Sequence, residues 1–210
     1  MNPFFVKYPL ILKKLYPNRI TRIKGGKTIY LTFDDGPIPK ITPWVLDTLK
    51  QYNAKATFFC IGDSIRKHPE VFQQVIEEKH RVANHTFNHL NGWKTSAEKY
   101  IQNALLAEKE IKSFSTQKTK LFRPPYGMIK NAQAAKLVKQ NYTIVMWDVI
   151  SGDFDSRISK EKCLENVLKN ASAGSIVVFH DSIKASESLM FALPKVLDYY
   201  TKQGFSFKAL

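Results

Sequence analysis

Short apolar runs alternate along this chain with longer stretches in which apolar residues recur every three to four positions. The runs at 28–33, 56–60, 81–84, 120–122, 142–147 and 175–179 read as strands, and 205–208 as a short last one. The periodic stretches at 42–51, 64–78, 97–113, 130–140, 159–170 and 187–203 read as helices. Strand and helix in regular alternation predict a parallel α/β architecture, either a barrel or an open sheet. No internal repeat and no long linker interrupts the pattern.

The polar residues capable of chemistry fall at one recurring place in that pattern. Asp34, Asp35, His85, Arg123, Asp153 and His180 all come at or just beyond the C-terminal end of an apolar run. In an α/β barrel those ends form the catalytic rim.

A length of 210 residues suits one domain with a substantial core, and 44% hydrophobic with 24% charged residues is ordinary for a globular protein. Charge changes the picture more. With 32 basic against 18 acidic residues, the formal charge is +14, which favours polyanions or anionic membrane surfaces. The lysines are scattered, with no basic block and no aromatic-interleaved motif, so no specific nucleic acid is expected. Cys60 and Cys163 have neither metal-clip spacing nor the numbers of a disulfide framework. Residues 1–26 read as a basic, aromatic arm ahead of a single domain at 27–210. The arm's apolar pieces are too short and too interrupted for a signal segment or a membrane span. A cytoplasmic or membrane-peripheral location is the expectation, and Lys7, Lys13 and Lys14 among leucines suit peripheral contact with an anionic membrane as well as they suit packing on the barrel.

Two strings carry the chemistry. In Thr32-Phe33-Asp34-Asp35-Gly36-Pro37, adjacent carboxylates on an extended backbone point in different directions, so one can bind a metal while the other faces a reacting water. In His85-Thr86-Phe87-Asn88-His89, the imidazoles lie four apart and share one face if the segment opens a helix. One carboxylate and two imidazoles are a common ligand set for a catalytic zinc with a position left for water. Arg123-Pro124-Pro125-Tyr126-Gly127 cannot be helical and makes a rigid turn. Its guanidinium can orient a carboxylate, and a backbone N–H in the turn can meet developing negative charge. A carboxylate beside His180 would raise its pKa toward the protonated form that a general acid needs, with Asp153 and Asp181 as candidates and Asp148 and Asp155 near by in sequence. Trp147 and Phe154 have the character to wall a sugar groove or to fill core. His68 and His80 lack such company and read as structural or exposed.

Taken together these strings resemble the polysaccharide deacetylases of carbohydrate esterase family four, which share the nodulation chito-oligosaccharide deacetylase homology domain. The resemblance covers roughly 27–207 and rests on five motifs in family order, at 32–37, 85–89, 123–127, 147–154 and 176–180, with 54–59 similar to the family's second strand. It implies a distorted, incomplete (β/α) barrel of about seven parallel strands. It implies a divalent metal, zinc or alternatively cobalt or nickel, on Asp35, His85 and His89, with Asp34 as general base and His180 as general acid. By the same carry-over Arg123 orients Asp34, Asp153 supports His180, the Tyr126 N–H meets the oxyanion, and Val178 lines the acetyl pocket. Tyr126, Trp147 and Phe154 then contact substrate. The implied activity is removal of N-acetyl groups from N-acetylhexosamine glycans such as chito-oligosaccharide or peptidoglycan, with release of acetate, by a monomer. O-acetyl ester hydrolysis on a polysaccharide such as xylan is the alternative, and a noncatalytic glycan- or membrane-binding protein a more distant one. Ile150 stands where the family often has aspartate, Phe154 where it often has tryptophan, and no glycine precedes the second motif.

Overall fold

The computed structural model describes residues 5–116 and 120–210; positions 1–4 of the expected arm lie outside the described residues. In chain order the elements are α1 (Leu10–Leu15), β1 (Thr28–Asp34), α2 (Ile41–Gln51), β2 (Thr57–Cys60), α3 (Gly62–Lys67), α4 (Pro69–Glu77), β3 (Arg81–Asn84), α5 (Ala97–Phe114), β4 (Lys120–Phe122), α6 (Asn131–Lys139), β5 (Tyr142–Ile144), β6 (Val149–Ile150), α7 (Lys160–Asn170), β7 (Ile176–His180), α8 (Ser186–Lys202) and β8 (Ser206–Phe207). Seven strands run in the order β5-β4-β3-β2-β1-β7-β6, all parallel, and β8 joins only the start of β1. This is the expected incomplete barrel.

The strands sort their side chains by parity. Ile29, Leu31 and Phe33 of β1 point to the helices, where they join Val177, Phe179, Leu193 and Val196 in the main core. Phe33 stacks between Phe58 and Phe179, with centroids 5.0 and 6.3 Å away. Each such fully buried side chain contributes about 1.5–3 kcal/mol of burial free energy. The other parity faces the barrel interior, where Phe59, Ala83, Leu121, Val145 and Ile176 form a smaller apolar plug. Thr32, Asp34 and His180 share that parity, so the plug is floor to whatever chemistry lies above it.

Two expected elements differ. The helix read over 64–78 is broken at His68, whose φ of −134° is non-helical, because Pro69 begins the second helix and disfavours helical backbone in the residue before it. The strand read over 142–147 stops at Ile144, and the chain re-enters the sheet as β6, too short for its two residues to be seen in a sequence pattern.

The arm occupies the gap between the two edge strands. Lys7 bridges Val149 of β6 in antiparallel fashion, and Ile20 bridges Val145, just past β5, in parallel. Ile150 N–H donates to the Val6 carbonyl at 2.9 Å, and Met146 N–H to that of Ile20 at 2.7 Å. Edge groups that would otherwise be left open are thereby paired. A second fastening is ionic: the fully buried Asp148 accepts from Lys7 (3.0 Å), Lys13 (3.0 Å), Arg22 (2.9 Å) and Ser175 (2.7 Å). Burial would raise the Asp148 pKa, but Ser175, Lys7 and Lys13 hold it below its ordinary value. The three cations keep between 24% and 42% of their side-chain surface in solvent, which screens the pairing. Asp148→Ala is therefore expected to lower unfolding free energy by about 2 kcal/mol, read by urea denaturation, and to speed tryptic cleavage within the arm. A variant cut no faster than wild type would show that the strand bridges alone hold the arm.

Candidate active site

Asp34 is the last residue of β1, paired in register with His180 at the end of β7. Registered residues of parallel neighbours project to the same face about 4.8 Å apart, which sets this carboxylate and this imidazole side by side over the floor. Asp35 then takes φ +84° and turns its side chain to another direction. The turn continues through Gly36, where a Cβ would sit 1.9 Å from Asp181 Oδ2, so no side chain fits.

Asp35 meets two histidines. Its Oδ1 lies 3.2 Å from His89 Nε2 and 3.7 Å from His85 Nε2, and His85 Nε2 is 4.0 Å from Asp34 Oδ2. The far nitrogen of each ring is occupied: His85 Nδ1 donates to the Arg123 carbonyl at 2.7 Å, and His89 Nδ1 lies 3.2 Å from the Tyr126 hydroxyl. Burial, with the neighbouring His89, lowers the His85 pKa to about 3, and burial lowers that of His89; since His85 Nδ1 carries the proton given to the Arg123 carbonyl, its Nε2 lone pair turns toward Asp35. Asp35 Oδ1 is itself buried and accepts no hydrogen bond. A donorless carboxylate oxygen beside the Nε2 atoms of two imidazoles fits a divalent cation, and no other histidine, cysteine and acid group among the described residues does.

The histidines are not on a helix, which corrects the expected geometry. Thr86 and His89 have φ +65° and +53°, and the segment from 85 to 91 is an irregular loop. Asn84 accepts from Thr86 N–H at 2.8 Å, and Asn103 on α5 accepts from Phe87 and Asn88 N–H at 2.8 and 3.1 Å. Of the eight non-glycine residues with positive φ among those described, Asp35, Thr86, His89 and Tyr126 all belong to this site. Left-handed backbone costs free energy, especially at β-branched Thr86, and its concentration here marks a functional locus.

Arg123 is 1% exposed and reaches Asp34 Oδ1 at 2.6 Å, Thr32 Oγ1 at 2.8 Å and the Met146 carbonyl at 2.9 Å, with its guanidinium 4.0 Å over the Phe59 ring. Tyr126 follows at φ +60°, exposed, on a turn whose Gly127 lies so close to Trp147 that a Cβ would be 2.7 Å from the indole. His180 donates Nδ1–H to Asp153 Oδ1 at 2.8 Å, and its backbone N–H donates to Asp153 Oδ2 at 2.8 Å. Burial alone would lower the His180 pKa; the charge and hydrogen bond of Asp153, with smaller help from Asp35 and Asp34, raise it to about 9. Ser151 donates to Asp153 Oδ1 at 2.9 Å.

The partner of His180 is thus Asp153 and not Asp181. Asp181 turns away to accept from Thr42 (2.6 Å) and Gly36 N–H (3.1 Å), and burial raises its pKa to about 8. Asp155 pairs with Arg157, and Asp148 holds the arm. Phe154 packs edge-on against His180 with centroids 4.9 Å apart, Val178 lies buried two residues below His180 on the same face, and Trp147 touches Tyr8 at 5.4 Å. Thr32, Asn103 and Ser151, which hold the site in place, were not singled out from sequence. Asn103 alone had a visible signal, a polar residue within the apolar stripe of an amphipathic helix.

Residues 21–145 match a family model described as polysaccharide deacetylase. The chain is 39% identical to a peptidoglycan-N-acetylglucosamine deacetylase of Bacillus cereus, over 86% of this chain and 85% of that protein. It is 34% identical to the peptidoglycan-N-acetylglucosamine deacetylase PgdA of Listeria monocytogenes over 90% of its own length, but spans only 39% of that longer protein. Among solved structures it superposes on a peptidoglycan N-acetylglucosamine deacetylase in complex with 4-naphthalen-1-yl-N-oxidanyl-benzamide with a TM-score of 0.88 at 31% identity, covering 97% of this chain and 95% of the other.

Proposed function

This chain belongs to the polysaccharide deacetylase family, and on that premise we propose that it removes the N-acetyl group from N-acetylglucosamine units of an envelope glycan. One observation carries the assignment of roles: Asp34 and His180 stand in register beside the Asp35, His85 and His89 cluster. A reaction that takes a proton from water and gives one to a leaving nitrogen needs a base and an acid at that spacing.

In this reading Asp35, His85 and His89 hold a divalent cation, which when bound supplies Lewis-acid polarisation of the acetyl carbonyl and of the water that attacks it. Two nitrogens and one oxygen suit zinc, with cobalt and nickel able to replace it. Asp34 takes the proton from the attacking water while Arg123 fixes its other oxygen. The backbone N–H of Tyr126 faces the developing oxyanion. His180 Nε2 gives its proton to the departing amine nitrogen, and Asp153 holds the ring in the tautomer that allows this. The C–N bond breaks, the water oxygen joins the acyl carbon, and acetate and a free amine leave. Val178 walls the acetyl pocket, and Trp147 with Phe154 walls the sugar groove. Every residue named comes from one chain, so the reading needs no second copy.

A histidine held protonated to about pH 9 favours amide over ester as the scissile bond, since an amine leaves poorly without a proton. Acetate release from chito-oligosaccharides and peptidoglycan fragments should exceed that from acetylated xylan; the reverse order would assign an O-acetyl esterase. Stripping divalent metal with a chelator should take acetate release to background and one equivalent of zinc per chain should restore it. His89→Ala should bind no zinc by metal analysis, and full zinc content in that variant would remove His89 from the ligand set.

A further inference from the structure

We propose that the outer face of the N-terminal arm docks this protein on an anionic lipid surface. The proposal is independent of the chemistry assigned to the rim. Four of the five most exposed large apolar side chains among the described residues fall within this arm: Phe5 at 64%, Leu10 at 75%, Ile11 at 68% and Leu15 at 63%. They are not the loose end of a packing face. The α1 helix turns Leu12 inward onto the cluster around Tyr8 and Met146, and Lys13 inward onto Asp148, which leaves Leu10, Ile11, Lys14 and Leu15 facing out together.

Charge names the partner. The first 33 residues hold seven Lys and Arg and no Asp or Glu, half of the net charge of the whole chain. Asp148 offsets one of these charges by drawing in Lys7, Lys13 and Arg22; Lys14 and Lys24 are exposed. A soluble polyanion would satisfy the cations and leave the aliphatic side chains in water. A neutral apolar partner would do the opposite. Aliphatic groups that enter the acyl boundary, with lysines at headgroup level on flexible stems, satisfy both in the manner of an interfacial anchor.

The arm is also held ready. Strand bridges to β6 and to Val145 just past β5, and the Asp148 latch, fix its inner side against the barrel, so little ordering is needed on docking. Its inner side reaches the rim: Tyr8 packs edge-on against Trp147, which covers the turn at Gly127. A surface that seats the arm thus seats the rim at a fixed orientation to that surface, suiting a glycan carried on or close to a membrane.

The test is vesicle flotation with the full chain, using phosphatidylcholine alone and phosphatidylcholine mixed with phosphatidylglycerol. Wild type should float with the mixed vesicles only, and less as salt rises. The triple variant Leu10→Ser, Ile11→Ser, Leu15→Ser and the double variant Lys14→Glu, Lys24→Glu should each lose about tenfold in vesicle affinity. Both should keep the wild-type thermal melt and wild-type acetate release from a soluble glycan, because none of these residues touches the rim. Flotation unchanged by either variant, or equal on neutral and anionic vesicles, overturns the proposal. So does a wild-type dimer that the triple variant converts to monomer, which would assign the face to a second copy of this chain.

Discussion

Asparagine in place of Asp34 is expected to reduce acetate release by about 10³-fold while leaving zinc content unchanged. The substitution keeps an oxygen that can accept from Arg123 Nη1, now at 2.6 Å, but the amide cannot take a proton from water. The cluster of Asp35, His85 and His89 proposed to hold the cation is untouched, because Asp35 turns away at φ +84° and shares with Asp34 only the flank of His85. One structural cost accompanies the loss of charge. Arg123 is buried beside Thr32 and loses the carboxylate it pairs with, so unfolding free energy should fall by about 1–3 kcal/mol. A melt separates that effect from the catalytic one, since a folded, zinc-loaded variant with wild-type turnover would remove Asp34 from the role of base.

Much of this arrangement was legible in the sequence, for a physical reason. Strand ends of an α/β barrel must be polar where they emerge, and the residues there were of the types that bind cations and move protons: Asp34, Asp35, His85, Arg123 and His180. What sequence could not carry was direction. The spacing of His85 and His89 suggested a helical face, yet both meet Asp35 from an irregular loop with two residues in left-handed backbone, a conformation held by Asn84 and Asn103 from elsewhere in the fold. Likewise four aspartates lie near the fourth and fifth motifs in sequence, and only packing decides among them. The backbone N–H and ring of His180 both reach Asp153, while Asp181 faces the opposite side of its strand toward Gly36.

The closure of the barrel was the least legible feature. The arm pairs with β6 and with Val145 just past β5 through single-residue bridges, which leave no run of alternating residues to recognise. Asp148 read as one more acid near the site and proved to be the anchor of the arm. A charged residue fully buried on a strand end demands a cation from somewhere, and here three come from more than 120 positions away in sequence.

Asp153→Asn is expected to move the alkaline limb of the rate profile downward by more than two pH units. In the proposed role of general acid His180 works only as imidazolium, so acetate release in the wild type should be lost as pH rises through about 9. Burial opposes that protonation, and Asp153 supplies the largest part of what overcomes it. Without its charge the limb should fall to about 6.5, the ordinary histidine value, or below, since burial remains. At pH 8.5 the protonated fraction, and with it the rate, would then drop by about 10²-fold, and lowering the pH should recover most of it. Stability follows the same sign. The folded-state pKa of His180 is raised, so the contribution of its pairing with Asp153 is complete below about 6.5 and fades as pH rises through about 9. Denaturation midpoints of wild type and variant should therefore differ most in acid and converge toward pH 9. A variant whose alkaline limb stays where the wild type has it would leave Asp153 a structural acceptor and return the question of what charges His180.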